Sequence, residues 1–547
     1  MRILSRKIAL DLLNLLLFTL LFGSYYLHFH SYSMTRPESL LFFLVLFLGL
    51  LAPWLLCRLL KCDWVFYAPL LILSLDLSLG IFYSFYLFCK SAAGGSKEIA
   101  YTSIFFFGFF LFFIGFHIRS RIQSIARVLF LTTLLLTVVT YPFSSNPFIR
   151  VSHETRTPSP VPGNKPDLFF IILDEHIGID GIPLSWESGK RLKETLIQNY
   201  GQNGFLLFTK AYSNNGFTGN SIPGILNSKV VLSRQGVFEK GVLLQNRLLE
   251  KLYREGYRIN VYQSNFMDFT RSPDIPIRKS MTYNMYSMGL LQAAPLPVTD
   301  KLLILSANFA ESYHSQPLKK ISLALFKHDW KLLSHLASEP VFREIAADLN
   351  TSPRNTVFFV HLLMPHYPYA YGDDGRILKP ALWEANDCSD CGKDMRNTVE
   401  GRQKKYLLYF NQVRHLYEEL NQLFEQARRL GIYEESSFVL ISDHGSRISL
   451  NLMDANHASQ LTPQDYTDMF ASFVAVKKGA YNPSFYKDRG PLIEDELPTV
   501  KIIGEFFSLA LESDLSRPEL TKVYLSPGPE GDDTAELDPA EKEMVRF

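Results

Sequence analysis

The sequence predicts two parts of different class: an N-terminal α-helical membrane domain of about five helices, and a large α/β domain whose mainly parallel sheet is sandwiched by helices. Three observations carry this. Up to about residue 145 the chain is dominated by Leu and Phe in long runs. Beyond about residue 165, apolar runs of strand length alternate with amphipathic helical stretches. The chain has 547 residues, too many for one ordinary domain.

The apolar runs fall at about 8–28, 39–60, 65–89, 103–118 and 126–143. Most are close to the roughly 20 residues that cross a bilayer as a helix. The fourth, SIFFFGFFLFFIGFHI, is short and suits a re-entrant or tilted segment. Basic residues orient the set. Arg2, Arg6 and Lys7 precede the first run, Arg58 and Lys61 follow the second, and Arg119, Arg121 and Arg127 follow the fourth. The other links are poorer in such charges, so the N-terminus is expected in the cytoplasm. An odd number of crossings then puts everything after residue 145 outside. No small-x-small site follows LLFGSYY, so the first run is expected to be retained rather than cleaved as a signal. Asp76, inside the third run, is either a functional carboxyl or one that pairs within the bundle.

Residues 146–166 are rich in Pro, Ser and charge and read as an extended linker. The α/β domain follows at 167–528, and an acidic tail at 529–547. DLFFIILDE (167–175), NTVFFVHLLMPH (355–366) and SSFVLISDHG (436–445) are apolar on both faces, as central parallel strands are. FASFVAVKKG (470–479) is a fourth strand candidate. A long amphipathic helix ending at Gly431 separates the second from the third. Residues 230–350 look mostly helical, and MTYNMYSMGLLQAAPLP within them reads as a core or lid segment or one resting on a membrane surface.

Net charge is +1, so no global field points to nucleic acid, and none is expected as a partner. Five cysteines exclude a disulfide scaffold. Cys388 and Cys391 form a lone C-x-x-C, which outside the membrane reads as a local disulfide and inside a cell as half a zinc site.

In open parallel sheets ligands collect at the C-terminal strand ends. The first strand ends in Asp174, followed by Glu175 and His176; the third ends in Asp443-His444-Gly445. Carboxylates and imidazole are suitable ligands for a divalent cation. Between them lies AYSNNGFTGNSIPGILNS, a polar loop running into a helix. Thr218 sits at that junction, either as a helix cap or as a hydroxyl that a bound cation activates for attack. Helix-start N–H groups would face an incoming anion, and Pro223 suits a first helical turn.

FFIILDE, AYSNNGFTGNSIPGILNS, FVHLLMPHYPY and FVLISDHGS, in this order, resemble the alkaline phosphatase superfamily, in the branch of sulfatases and membrane-anchored phosphoethanolamine and phosphoglycerol transferases. Thr218-Gly-Asn-Ser221-Ile-Pro223 matches the transferases' T-x-x-S-x-P pattern. The resemblance implies an alkaline phosphatase-like fold and a first metal site of Asp174, Thr218, Asp443 and His444. It implies His366 as a contact to substrate or a second metal, and His457 as a last ligand. The metal would be zinc or manganese, with magnesium or calcium as alternatives. His361 falls on the strand and reads as packed. Arg447 and Lys229 lie near enough in sequence to neutralise a phosphate. Transferases often carry Glu where this chain has Asp174, whereas sulfatases have Asp, which blurs the subfamily. Sulfatases oxidise a Cys or Ser in a C/S-x-P/A-x-R context; Thr218 cannot be converted in that way.

The expected activity is therefore transfer of phosphoethanolamine or phosphoglycerol from a membrane phospholipid, through Thr218, to an envelope glycan or lipid. The expected location is the plasma (inner) membrane, with the catalytic domain periplasmic or extracellular. The alternatives are a phosphodiesterase or sulfatase-like hydrolase of the same fold, and a catalytically silent domain that binds a glycan or partner.

Overall fold

The computed structural model describes residues 2–29, 31–61, 66–67, 70, 121, 124–125, 128, 130–131, 147–152, 165–232, 234–271, 275–312, 332–384, 398–451, 459–479, 489–509, 522–524 and 542–543. The chain divides into two compact units: Met1–Pro147 with Ser287–Lys319, and Phe148–Tyr286 with Lys320–Phe547.

In the first unit the first two apolar runs form helices α1 (Arg2–Phe29) and α2 (Pro37–Leu59). Ile8–Leu27 and Pro37–Leu59 are long and apolar enough to cross a membrane. Most of the third to fifth runs, including Asp76, lies outside the described residues. A buried Asp11 on α1 pairs with Arg58 on α2. Burial of one carboxylate among apolar helices requires such a partner.

Ser287–Lys319 falls within the stretch expected to belong to the α/β domain, yet it clusters with the first unit. Its helix Val298–Ser312 packs against α2. Phe309 meets Phe22, Tyr26 and Phe42 at 5.4, 5.0 and 5.5 Å. Tyr26 donates to Asn308 Oδ1 at 2.7 Å, and Gln292 donates to the Ser31 carbonyl at 2.9 Å.

The second unit holds a nine-stranded sheet. In chain order its strands are β1 (Phe148–Ser152), β2 (Leu168–Leu173), β3 (Phe205–Phe208), β4 (Arg258–Ser264), β5 (Ile277–Tyr283), β6 (Thr356–Leu362), β7 (Ser437–Ile441), β8 (Val474–Lys477) and β9 (Leu492–Ile493). Across the sheet they run β1-β5-β4-β6-β2-β7-β8-β3-β9. The five from β5 to β7 are parallel; β1 and β8 run antiparallel to their neighbours.

Two expectations are corrected here. The linker does not begin at residue 146 as an extended tether, because Phe148–Ser152 is an edge strand paired with β5. The 230–350 region contains two sheet strands, β4 and β5. Buried Asn260, Gln263 and Ser264 on β4, and Arg278, Lys279, Ser280 and Thr282 on β5, break the apolar pattern that marks the other strands. The fourth strand candidate is present as β8, which runs antiparallel to both its neighbours within the mainly parallel sheet.

Every residue of β2, β6 and β7 is buried, as a sheet covered on both faces requires. Successive side chains point to opposite faces. On one face Phe169 stacks between Phe358 and Phe438, at 4.8 and 4.3 Å, because all three share one register row. Helices α3 (Glu187–Gln202) and α8 (Val399–Arg429) cover this face, through contacts such as Phe424 on Phe438. On the other face Phe170 stacks on Phe359, under a core that includes α4 (Thr218–Asn227), α5 (Arg247–Arg254) and α10 (Thr499–Phe506). The helices Val298–Ser312, Ser338–Leu349 and Pro463–Phe470 are α6, α7 and α9.

The stacked row locks the register of the three strands whose ends carry the site. Phe169→Ala is expected to destabilise the full chain by about 3–5 kcal/mol, the usual cost of emptying an aromatic core position. Urea unfolding followed by near-ultraviolet circular dichroism measures this; a loss below about 1 kcal/mol would contradict the row's structural weight.

Candidate functional site

β6, β2 and β7 are adjacent and parallel, so their C-terminal ends open side by side. Asp174 is the first residue after β2. Its N–H bonds to the Leu362 carbonyl at the end of β6, and its own carbonyl accepts from His366 N–H at 3.1 Å. Asp443 lies two residues beyond β7. Glu175 adopts a left-handed φ of 63°, and its N–H donates to Asp443 Oδ1 at 3.0 Å. The two strand ends are thereby tied together.

α4 carries the third component. It begins at Thr218 itself, and its N-cap is Phe217, which makes no side-chain cap bond. The reading of Thr218 as a capping residue is therefore corrected. Pro223 is likewise inside the helix rather than in its first turn. The Thr218 hydroxyl oxygen lies 3.4 Å from His444 Nε2 and also reaches the Asp443 carboxylate. Ser221 Oγ donates to the Asp443 carbonyl and sits 2.7 Å from Ser213 Oγ. The serine of the T-x-x-S-x-P pattern thus fastens the helix start to the end of β7.

Each buried carboxylate has one satisfied oxygen and one that is not. Asp174 Oδ2 faces His361 Nε2 at 3.3 Å, while Oδ1 has no partner. Asp443 Oδ1 takes the Glu175 N–H, while Oδ2 has no hydrogen bond, although His444 Nε2 lies 3.0 Å away. His444 Nδ1 is 3.0 Å from the Gly445 carbonyl, which can only accept. Nδ1 therefore carries a proton, so Nε2 is the nitrogen that faces the carboxylates and offers a cation its lone pair when the ring is neutral. Asp174, Asp443 and His444 offer ligand atoms all within 4.8 Å of one another, and Asp174, Glu175 and His366 form a second such group. Orphaned carboxylate oxygens beside an imidazole lone pair are a donor set for a divalent cation.

The electrostatics agree. Burial, then the neighbouring Asp443, raises the pKa of Asp174. Burial opposes the charge of Asp443, but His444, Thr218 and the Glu175 N–H hold its pKa below the usual carboxylate range. Burial lowers that of His444, and the stronger pull of Asp443 raises it. These shifts mark two negative groups that need positive charge between them.

His366 lies 3.6 Å from Glu175 Oε1. Its Nδ1 is 2.8 Å from the Tyr367 carbonyl, so Nε2 is left as the acceptor of the neutral ring, and burial lowers its pKa. Arg447 lies 3.3 Å from the same Glu175 oxygen and 5.2 Å over the Phe217 ring. Its side chain is one-third exposed.

The structure thus gathers Asp174, Thr218, Asp443, His444 and His366. His457, Cys388 and Cys391 lie outside the described residues. Lys229 is placed in the turn that closes α4, with its N–H on Gly224. His361 is packed, as expected, against Phe269, but it also steadies Asp174. Glu175 was passed over as a residue following a strand end; its left-handed backbone and its contacts with His366 and Arg447 carry no sequence signal. Gly445 has one: a Cβ there would come within 2.4 Å of the Asp468 carbonyl, so only glycine fits the turn after His444.

A family model described as Sulfatase matches residues 170–487, more than half of the chain. No curated protein matches the chain. Among solved structures, the C-terminal periplasmic domain of EcEptC from Escherichia coli in complex with Zn is 12% identical, with 70% of this chain and 93% of that chain covered and a TM-score of 0.40. The phosphonate monoester hydrolase of Agrobacterium radiobacter is 11% identical, with 66% and 80% covered and a TM-score of 0.39. A protein of the alkaline phosphatase superfamily from Vibrio parahaemolyticus is 13% identical, with 69% and 78% covered and a TM-score of 0.35.

The carboxylate pair gives a prediction whose sign depends on metal. The folded-state pKa of Asp174 is raised above the ordinary 3.8. Its contribution to stability is therefore full below that value and lost as pH rises through the folded pKa. In chelator-treated protein at pH 7, Asp174→Asn should raise stability, since relieving one buried unpaired carboxylate oxygen is worth about 1–3 kcal/mol. With saturating Zn2+ the order should reverse, because the wild type alone keeps the full donor set. Thermal unfolding with and without metal checks both signs; the same order in both conditions would contradict a cation site here.

Proposed function

We propose that this chain, which belongs to the sulfatase family, is a membrane-anchored, divalent-metal-dependent phosphotransferase. It moves a phospholipid head group, phosphoethanolamine or phosphoglycerol, through a covalent intermediate on Thr218 to a glycan or lipid acceptor outside the membrane. One observation carries the reading: the Thr218 hydroxyl stands at the first turn of a helix, 3.4 Å from His444 Nε2 and beside the buried Asp443 carboxylate. That position is one for a nucleophile, since nothing about it serves the helix as a cap.

Asp174, Asp443 and His444 would hold the cation, with Thr218 beside it. When bound, the cation favours loss of the threonine proton to solvent and offsets charge on the phosphoryl oxygens. The N–H groups of Thr218 and Gly219 precede the first bonds of α4, which Asn220 and Ser221 make to the Phe217 carbonyl, and favour an anion there. Arg447 supplies the mobile positive charge at the same edge. In the first half-reaction Thr218 Oγ1 bonds to phosphorus, the bond from phosphorus to the lipid alcohol's oxygen breaks, and that departing oxygen takes a proton from solvent. In the second, the acceptor hydroxyl gives its proton to the neutral His366 Nε2, which passes it to solvent, as the acceptor oxygen displaces Thr218.

Two features support a lipid donor. α1 and α2 have the length and apolar character of membrane spans. α2 also leaves Leu40, Leu44, Leu48, Leu56 and Leu59 more than half exposed. The charges at the ends of the apolar runs favour a cytoplasmic N-terminus and an external catalytic domain.

Mass spectrometry of the Thr218 peptide from protein incubated with phospholipid is expected to show a head-group adduct, whose mass identifies what is carried. Thr218→Ala should lose the adduct and at least about 10³-fold in turnover, as loss of a covalent nucleophile does. Thr218→Ser should retain both. An adduct on another residue, or full activity in Thr218→Ala, would end this reading. An adduct that discharges to water equally fast with and without acceptor would make the enzyme a hydrolase.

A further inference from the structure

The strand ends fix where three site loops begin, but not where residues further along them come to rest. One helix reaches all three. On α8, Arg402, Tyr406, Tyr409 and Gln412 are spaced by 4, 3 and 3 residues and are all buried. At 3.6 residues per turn they occupy about a third of the helix circumference along a length of about 15 Å.

Each of these side chains bonds to loop backbone or to a loop side chain. Arg402 donates from Nε to the Ile448 carbonyl at 3.0 Å and clasps the Asp468 carboxylate at 2.6–3.0 Å. The Asp468 carbonyl accepts the Arg447 N–H at 2.8 Å. Tyr406 bonds to Ser446 Oγ at 2.7 Å and to Asp468. These contacts hold the loop that follows β7 and carries His444. Tyr409 donates its hydroxyl to the Glu175 carbonyl at 2.8 Å and accepts the Ile177 N–H at 2.7 Å. It closes the turn in which Asp174 and Glu175 sit. Gln412 accepts the Ala370 N–H at 3.0 Å and donates to the Pro365 and His366 carbonyls at 3.0 and 2.9 Å. It holds the loop that carries His366.

We infer that this polar face of α8 is the ruler that sets the mutual spacing of the three site loops, with Tyr409 the positioning residue for the Asp174–Glu175 turn and Gln412 that for the His366 loop. The inference rests on the proposed reading of the site for its effect on catalysis, but not for its effect on the loops. A helix is stiff along its axis, so bonds from four of its residues convert separate loops into one framework. Apolar replacement removes those bonds and leaves buried backbone groups without partners. Each replacement should loosen its own loop and no other.

The test compares Tyr409→Phe and Gln412→Met with Phe424→Leu in the full chain in detergent. Phe424 lies on the same helix, packed on Phe205 and Phe438 and away from the loops. Zn2+ affinity is read by competition with a chelating dye, and turnover with bis(p-nitrophenyl) phosphate. Loss of a group that orients ligands costs 10–100-fold, so Tyr409→Phe should weaken Zn2+ binding about 10-fold or more. Gln412→Met should keep Zn2+ affinity within about twofold while turnover falls about 10-fold. Phe424→Leu should lower the unfolding temperature and change neither quantity. Hydrogen exchange reads the loops without metal or substrate: peptide 174–179 should lose protection in Tyr409→Phe only, and peptide 364–371 in Gln412→Met only. Unchanged exchange, or equal loss in both peptides in either variant, overturns the inference, as does an equal fall in affinity and turnover in Phe424→Leu. A wild-type protein that neither binds Zn2+ nor turns over the ester would overturn the proposed function, and the exchange pattern would still decide for or against the ruler.

Discussion

Two carboxylates buried side by side repel each other, and the second unit is arranged so that this repulsion must be met. Asp174 and Asp443 extend from neighbouring parallel strands, so the hydrogen-bonded sheet prevents them from moving apart. One oxygen of each is held by the protein, through His361 and through the Glu175 N–H. The other oxygen of each has no hydrogen bond, that of Asp443 lying 3.0 Å from the imidazole of His444. Leaving such atoms without partners in a dry interior is costly, and natural interiors do so chiefly where a ligand completes the bonding. The location of the threonine hydroxyl gains its meaning from that unmet demand.

The surrounding architecture can be understood as support for that placement. Stacked phenylalanines fix the register of β6, β2 and β7 from below. Ser221 joins the start of α4 to the end of β7. The crowding around Gly445 forces the chain to turn immediately after His444. These devices act on backbone rather than on the reactive atoms, which leaves the reactive atoms free for chemistry.

Much of this was legible in the residues. The three fully buried strands stood out because a covered parallel strand shows no alternation, and Asp174 and Asp443-His444 were marked by following directly on such runs. Thr218 was marked by the contrast between a polar loop and an apolar helix. The strands β4 and β5 were not legible, because buried Asn260, Gln263 and Ser264 on β4, and Arg278, Lys279, Ser280 and Thr282 on β5, erase the apolar pattern. The strand Phe148–Ser152 was masked by the proline-rich sequence after it. Glu175, His361 and the inward side chains of α8 owe their importance to partners far along the chain, from Ser446 opposite Tyr406 to Asp443 opposite Glu175, and no local spacing encodes such a meeting.

The return of Ser287–Lys319 to the N-terminal unit bears on how the molecule can be divided. Cutting the chain once, near residue 147, would not yield an autonomous α/β piece. Such a fragment would still carry helix α6, now deprived of the aromatic nest formed by Phe22, Tyr26 and Phe42, and its bare apolar side would favour clumping. A well-behaved fragment needs a second excision, of Ser287–Lys319.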